Sequence, residues 1–150
     1  MGQPQGEGLK VGFESSLRLE FHGSKVTSDC GLLAYRDLDE ALGLFGAASQ
    51  VLFDRRTGRN IQHGIGNLLR QSVYSRLAGY EDVNDAARMS KDPVMRAITE
   101  KRNAKKNAAS TNTMGRFETE VLTIRENLKA LSDINGRWVQ GRLIKHRIDV

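Results

Sequence analysis

The stretch that decides the fold is AASTNTMGRFETEVL, which runs from Ala108 to Leu122. Small polar residues lead into a basic residue, an aromatic residue and then apolar residues at helical spacing. Ser110 or Thr111 can cap a helix here, because a hydroxyl oxygen at that position accepts a hydrogen bond from a free N–H of the first turn. The sequence therefore predicts one long helix whose apolar stripe consists of Phe117, Val121, Ile124, Leu128 and Leu131.

Apolar residues three and four positions apart predict further helices upstream. One begins at Ser28 or Asp29 and carries Leu32, Tyr35, Leu38, Leu42 and Phe45. A second carries Ile61, Ile65, Leu68, Leu69, Val73 and Leu77. The segment GYEDVNDAARMS predicts a turn and a short helix. In KDPVMRAI, Asp92 is the predicted cap of the next helix, and Pro93 takes the first helical position, where its missing N–H costs nothing.

The region before these helices has a different period. The segments LKVGFE and LRLEF alternate apolar and polar residues on either side of Ser15-Ser16, which predicts a β-hairpin. Two strands are marginal in water, so the pair needs a helix or a larger sheet to cover it. At the other end, Asn135-Gly136 predicts a turn before a basic tail. The predicted fold class is mainly α with a short N-terminal β-hairpin or strand arm.

Composition narrows the function classes. The 150-residue chain has 23 Lys and Arg against 18 Asp and Glu, a net charge of +5 that favours polyanionic partners. The single cysteine, Cys30, excludes an intrachain disulfide, fits a reducing compartment and is predicted to be buried. No secretory or membrane-spanning apolar run occurs, so a cytoplasmic location is expected.

No catalytic or metal-ligating pattern is evident. His22, His63 and His146 lie far apart in sequence, and none has a partner at ligand spacing. Glu81, Asp82 and Asp85 cluster at a predicted helix entry, where carboxylates cap a helix and complement its dipole. The sequence thus predicts no metal site and no catalytic residue in this chain.

Basic segments remain as the candidates for function. Basic side chains in such segments can contact DNA phosphates, and these contacts add affinity without sequence specificity. Loops that are merely exposed to solvent have the same composition. A strict helix-turn-helix is not supported, because about ten residues connect the helices around Ala97 and Thr113, against three or four in that motif. A third basic segment lies in the tail after Gly136. The predicted DNA-binding residues are Arg55, Arg56, Arg59, Lys101, Arg102, Lys105, Lys106 and Arg116.

Three blocks of the sequence together resemble a known family. They are SDCGLLAYRDLDEALGL, LLRQSVYSRLAGYEDVNDAARMSKDPVMRAI and AASTNTMGRFETEVL. In this order they resemble the N-terminal region of DDE transposases of bacterial insertion sequences, and more narrowly the transposase DDE domain group 1. The resemblance covers roughly Leu17 to Val139, and the segments GYEDVNDAARMSKDPV and STNTMGRFE are its most specific parts.

The resemblance implies a DNA-cutting enzyme that moves a mobile element. Such enzymes use three carboxylates on an RNase H-like sheet to hold two magnesium ions, and these carboxylates come later than the region seen here. Asp149 in RIDV is not expected to be the first of them. The expected division is therefore a disordered tail (1–8), a β arm (9–27), a helical transposase region (28–134) and a divergent basic tail (135–150), without the catalytic sheet.

The chain is accordingly expected to be a truncated, DNA-binding fragment that is catalytically incompetent alone. Magnesium is expected only for the full-length family, and no cofactor is expected in this chain. The expected partners are DNA at the element ends, a full-length transposase or a second copy of the chain, and no membrane. Two alternatives stay open: a helical protein-interaction module, and a decayed transposase remnant.

Overall fold

A computed structural model describes residues 9–19, 29–57, 61–99 and 106–148 of the chain. The expectation of a mainly α fold is confirmed, because seven α-helices account for most of this part of the chain. The predicted tail 1–8 and the candidate cap Ser28 lie outside the described residues. The helices are α1 (Gly31–Leu42), α2 (Leu44–Val51), α3 (Ile65–Leu77), α4 (Ala86–Met89), α5 (Pro93–Thr99), α6 (Thr111–Arg116) and α7 (Arg125–Ile148).

Two short antiparallel strands precede α1. They are β1 (Leu9–Val11) and β2 (Glu14–Leu19), and Leu9 pairs with Leu19. The predicted hairpin therefore forms, with its turn at Gly12-Phe13, and Ser15 and Ser16 lie within β2. The reason for this turn position lies in α1: the Phe13 N–H donates to Asp37 Oδ1 at 3.0 Å, and the buried Phe13 ring lies under the Arg36 guanidinium, 5.0 Å from it.

The first predicted helix is divided in two. Gly43 adopts the left-handed conformation (φ 70°) and separates α1 from α2. Of the predicted stripe, Tyr35 and Leu38 are about half exposed, at 49% and 50%, which corrects the prediction. Instead α1 buries Arg36 and Asp39, because the Asp39 carboxylate pairs with Arg36 and accepts the N–H of Phe45 at 3.0 Å. Cys30, predicted to be buried, is half-buried at the start of α1.

The core forms where α3 and α5 pack on each other and on α1 and α2. Helix α3 starts at Ile65, so Ile61 lies before it and is exposed, contrary to the predicted stripe. The cap of α5 is confirmed: Asp92 Oδ1 accepts the Met95 N–H at 2.9 Å, and Pro93 is the first helical residue. The largest side chains with at most 1% exposure include Leu68, Tyr74, Met95, Ile98 and Phe117.

The predicted turn and short helix of GYEDVNDAARMS are also confirmed. Gly79 has a positive φ of 86°, a 3-10 turn follows over Val83–Asp85, and α4 then begins at Ala86. Asp82 Oδ1 accepts the Asn84 N–H at 2.8 Å, which gives this carboxylate the capping role predicted for the acidic cluster.

The long helix predicted to begin at Ser110 or Thr111 is divided into three pieces: α6, a π-helical turn and α7. The cap is confirmed, since Ser110 Oγ accepts the Thr113 N–H at 3.4 Å. Helix α6 passes into a π-helical turn, Phe117–Val121, and residues 122–124 then break the helix. Phe117 and Val121 are buried as predicted, whereas Leu128 is 55% exposed.

Helix α7 continues through Asn135 and Gly136, so the prediction of a turn there is wrong. A glycine in a helix costs only about 1 kcal/mol against alanine. Packing on both sides of this position outweighs that cost, because Ile134 is buried and the Trp138 Nε1–H donates to the Leu42 carbonyl at 3.0 Å. None of the described helices has the length and apolar content that a membrane crossing requires.

Candidate nucleic-acid interface

Three of the predicted DNA-binding residues line one groove. Arg55 and Arg56 lie in the extended segment after α2, and Arg116 is the last residue of α6. They border a groove of about 850 Å³, which we call the cationic groove. Lys106 is exposed but does not line it; its carbonyl accepts the Nε–H of Arg96 at 2.9 Å. Four further predicted residues lie outside the described residues: Arg59, Lys101, Arg102 and Lys105.

The cationic groove has two polar walls and a buried apolar bottom. One wall consists of residues 55–57 and 61–63, which include His63. The bottom contains Leu68, Phe117 and Val121, whose side chains are at most 4% exposed. The opposite wall belongs to α6 and the π-helical turn, and its polar residues are Asn112, Thr113, Arg116 and Glu120.

The first wall is held in place by a buried amide on α7. Asn127, which is fully buried, accepts the Phe53 N–H at 2.7 Å and donates to the Phe53 carbonyl at 2.9 Å. The same amide nitrogen donates to the Val121 carbonyl at 2.8 Å. One side chain therefore ties the segment before Arg55 to the end of the π-helical turn.

The second wall is held by a corresponding amide on α3. Gln71, 1% exposed, donates to the Ala109 carbonyl and accepts the Ala109 N–H, both at 2.8 Å. Ala109 directly precedes the cap Ser110, so this pair fixes where α6 begins. Neither amide could be predicted from the sequence, because an Asn or Gln within a helical pattern gives no sign that it is buried.

The arginines of the groove differ in how much of their charge is paired. Arg56 holds Asp54 through two contacts of 2.6 and 2.8 Å and donates to the His63 carbonyl at 3.1 Å. The Arg56 hydrogen bond lowers the pKa of Asp54, and the same contact raises the pKa of Arg56. Arg116 makes a single 3.3 Å contact with Glu120, and Arg55 is exposed without an ion pair to any described residue.

The described residues do not fit the magnesium site that a DDE enzyme uses. Such a site requires carboxylates that converge on two ions about 4 Å apart. Across the described ranges, no three His, Cys, Asp or Glu side chains come close enough together to hold a metal ion. We therefore derive no metal-dependent step for this part of the chain.

The fold and the groove define a mainly helical unit whose candidate interface is suited to an anion. The sequence matches the family Transposase DDE domain group 1 over residues 9–149, and the chain belongs to that family. The family implies DNA transposition, and DNA binding in general. No curated protein and no solved structure matches the chain. The match starts before Leu17 and extends past Val139, so it is longer than the resemblance found in the sequence.

Proposed function

We propose that this chain binds DNA during transposition, through the arginines of the cationic groove, and that it does not cut DNA by itself. The observation that carries the proposal is the convergence of Arg55 and Arg56 with Arg116 on one groove, although they are far apart in sequence. Arginine suits this role because its planar guanidinium donates two parallel hydrogen bonds to a phosphate.

The charge balance of the groove supports an anionic ligand. Three arginines line it against one lining carboxylate, that of Glu120, and Asp54 beside the groove pairs with Arg56, which leaves one arginine charge in excess. Arg116 and Glu120 are 77% and 59% exposed, so water screens their pairing and a phosphate can compete for the guanidinium. Arg55 forms no ion pair with a described residue, so a phosphate that binds there has no described carboxylate to displace. We expect phosphate contacts from both side chains, and from Arg56 through the N–H groups of its guanidinium that Asp54 and the His63 carbonyl do not use.

The remaining predicted residues stay within the proposal as further contacts. They are Arg59, Lys101, Arg102, Lys105 and Lys106, and a basic segment near the groove would add phosphate contacts without sequence choice. The proposed DNA partner is the end of the mobile element, and the proposed role is that of an N-terminal DNA-binding portion of a transposase.

A protein-interaction module is the second candidate. The observation that favours it is a set of large apolar side chains at the surface, each about half exposed: Tyr35, Leu38, Leu128 and Val139. A partner that covered them would bind without steep salt dependence, since burial of apolar surface is largely indifferent to ionic strength.

Binding to labelled duplex DNA across a salt series distinguishes the two. For wild type we expect affinity to fall steeply with salt. The variant R55Q/R56Q/R116Q should flatten the slope of log K against log salt by about 2 to 3, since each phosphate contact adds about 0.9. The control R125Q/K129Q/R137Q removes the same charge from α7 and should keep the wild-type slope. Equal loss in both variants would assign the binding to net charge and contradict the proposed groove.

A further inference from the structure

The shape of the cationic groove restricts the form of DNA that it can take. Asn112 and Thr113 line a concave space of about 850 Å³, at whose bottom Leu68 and Phe117 are each only 1% exposed. This volume is in the range of sites for small-molecule-sized ligands. Because a duplex keeps its base edges inside its own grooves, side chains within a concavity reach a base only when that base protrudes.

Helix α6 is also unsuited to reading a duplex. A recognition helix stands out from the protein surface so that it can enter the major groove. Helix α6 has six residues, passes directly into the π-helical turn, and faces the wall formed by residues 55–57 and 61–63. Its polar side chains are therefore accessible to a group that enters the groove.

The two walls differ in charge in a way that separates a phosphate from a base. Arg55 and Arg56 lie on the extended wall and attract a phosphate. The helical wall carries Arg116 and Glu120, which pair at 3.3 Å and so leave this wall without net charge, and the Glu120 carboxylate can accept a hydrogen bond from the amino group of cytosine. Asn112 on the same wall can form the paired hydrogen bonds that asparagine makes with adenine.

We propose that the cationic groove takes one unpaired nucleotide of the DNA. Its phosphate lies at Arg55 and Arg56, and its base, cytosine or adenine, lies against Asn112 and Glu120. This inference rests on the proposed function, because it specifies the form of DNA bound at the same groove. Extruding a base costs least where the nucleotide is already unpaired.

Three DNAs of otherwise identical sequence test the proposal: a perfect duplex, the duplex with one bulged cytosine, and the duplex with one bulged thymine. Fluorescence anisotropy at fixed salt gives the Kd of each. We expect the bulged cytosine to bind about tenfold more tightly than the perfect duplex, and more tightly than the bulged thymine, which lacks the amino group.

Two variants locate this preference in the groove. Asn112→Trp fills the concavity and keeps all three arginines, so it should abolish the advantage of the bulged duplex over the perfect duplex. Thr119→Trp is its control, because Thr119 is exposed on the same segment but does not line the groove. Glu120→Gln should reduce the preference for cytosine over thymine.

The outcomes that contradict the inference differ from those that contradict the proposed function. Equal affinity of wild type for bulged and perfect duplex would overturn the inference, while loss of duplex binding in R55Q/R56Q/R116Q would still support DNA binding at the groove. Wild-type duplex binding by that variant would overturn the proposed function.

Discussion

Arginine–carboxylate pairs occur both at the interface between α1 and α3 and in the cationic groove. They have different roles in the two places. In the first, the Asp39 carboxylate contacts Arg36 at 3.2 Å and Arg70 at 3.0 Å, and the side chains of Asp39 and Arg36 are 3% exposed. In the groove, Arg116 and Glu120 form an exposed pair at 3.3 Å. In these two places the buried arginine is committed to the fold, whereas the exposed one remains available to a ligand.

The π-helical turn shows this contrast within a few residues. Glu118 accepts hydrogen bonds from Ser72 Oγ at 2.7 Å and from Arg76 at 2.9 and 3.0 Å, which fastens the turn to α3. Glu120, two residues later, lines the groove instead. Phe117 and Val121, on either side of these residues, are buried in the core, so the groove wall is anchored while the charged group of Glu120 stays exposed.

The largest expected effect comes from breaking the buried network. Asp39→Ala should lower the free energy of unfolding by about 3 to 5 kcal/mol, because it breaks the buried pair with Arg36, leaves that guanidinium to the half-exposed Glu40 at 2.8 Å, and removes the acceptor of the Phe45 N–H. Urea unfolding followed by circular dichroism measures the loss. Asp133→Ala, at an exposed 3.8 Å pair with Arg137, is the control and should cost about 0.5 kcal/mol or less. Similar losses in both would contradict the distinction by burial.

The next largest effect concerns the amide that connects core and groove. Asn127→Ala removes three hydrogen bonds from a fully buried position and should cost about 2 to 4 kcal/mol. It should also weaken DNA binding, since the wall with Arg55 loses its anchor. The exposed Asn112→Ala provides the matched control for stability. A fully stable Asn127→Ala protein with unchanged DNA affinity would show that the wall does not depend on this amide.

A smaller effect is expected from Glu118 in acid. The Arg76 hydrogen bonds lower the pKa of Glu118 below its ordinary value of 4.5, against the opposing effect of burial. The pair therefore stabilises the fold fully above that ordinary value, and the contribution is lost as the pH falls through the lowered pKa. Thermal unfolding between pH 7 and pH 3 should show a shallower acid loss for Glu118→Gln. An acid limb identical to that of wild type would contradict this linkage.

The smallest effect on stability should come from the groove itself. Arg116→Gln breaks only an exposed pair, so we expect a change of about 0.5 kcal/mol or less in the free energy of unfolding. The same substitution should weaken DNA binding, whereas Arg76→Gln should not, because Arg76 pairs with Glu118 and does not line the groove. A loss of stability in Arg116→Gln as large as that of Asn127→Ala would mean that the groove arginine is structural.

How far the sequence predicted this structure depends on how local each interaction is. The caps at Ser110 and Asp92 depend on residues three positions away, and both were predicted correctly. The division of α1 from α2 was not predicted. The Asp39 carboxylate that accepts the Phe45 N–H is also held by Arg70, which is 31 positions away in sequence. The burial of the two amides was not predictable for the same reason. Gln71 hydrogen-bonds to Ala109, 38 positions away, and Asn127 hydrogen-bonds to Phe53, 74 positions away.

The candidate site shows the same limit. A basic cluster in the sequence indicated Arg55 and Arg56, because an excess of one charge in a short segment is visible without a fold, and Arg116 was predicted from the small polar helix start that precedes it. Their convergence on one groove was not predictable, since it depends on the two amide anchors. Nor did composition indicate that Asp54 would pair with Arg56, which leaves Arg55 as the groove arginine without a carboxylate among the described residues.

The most direct test of the central claim is an NMR titration of the arginine side chains with duplex DNA. The Nε–Hε signals can be assigned by single Arg→Lys variants. We expect the signals of Arg55, Arg56 and Arg116 to shift with added DNA, while those of the structural arginines, Arg36, Arg70 and Arg76, stay in place. Shifts confined to the structural set, or unchanged groove signals at saturating DNA, would contradict the account.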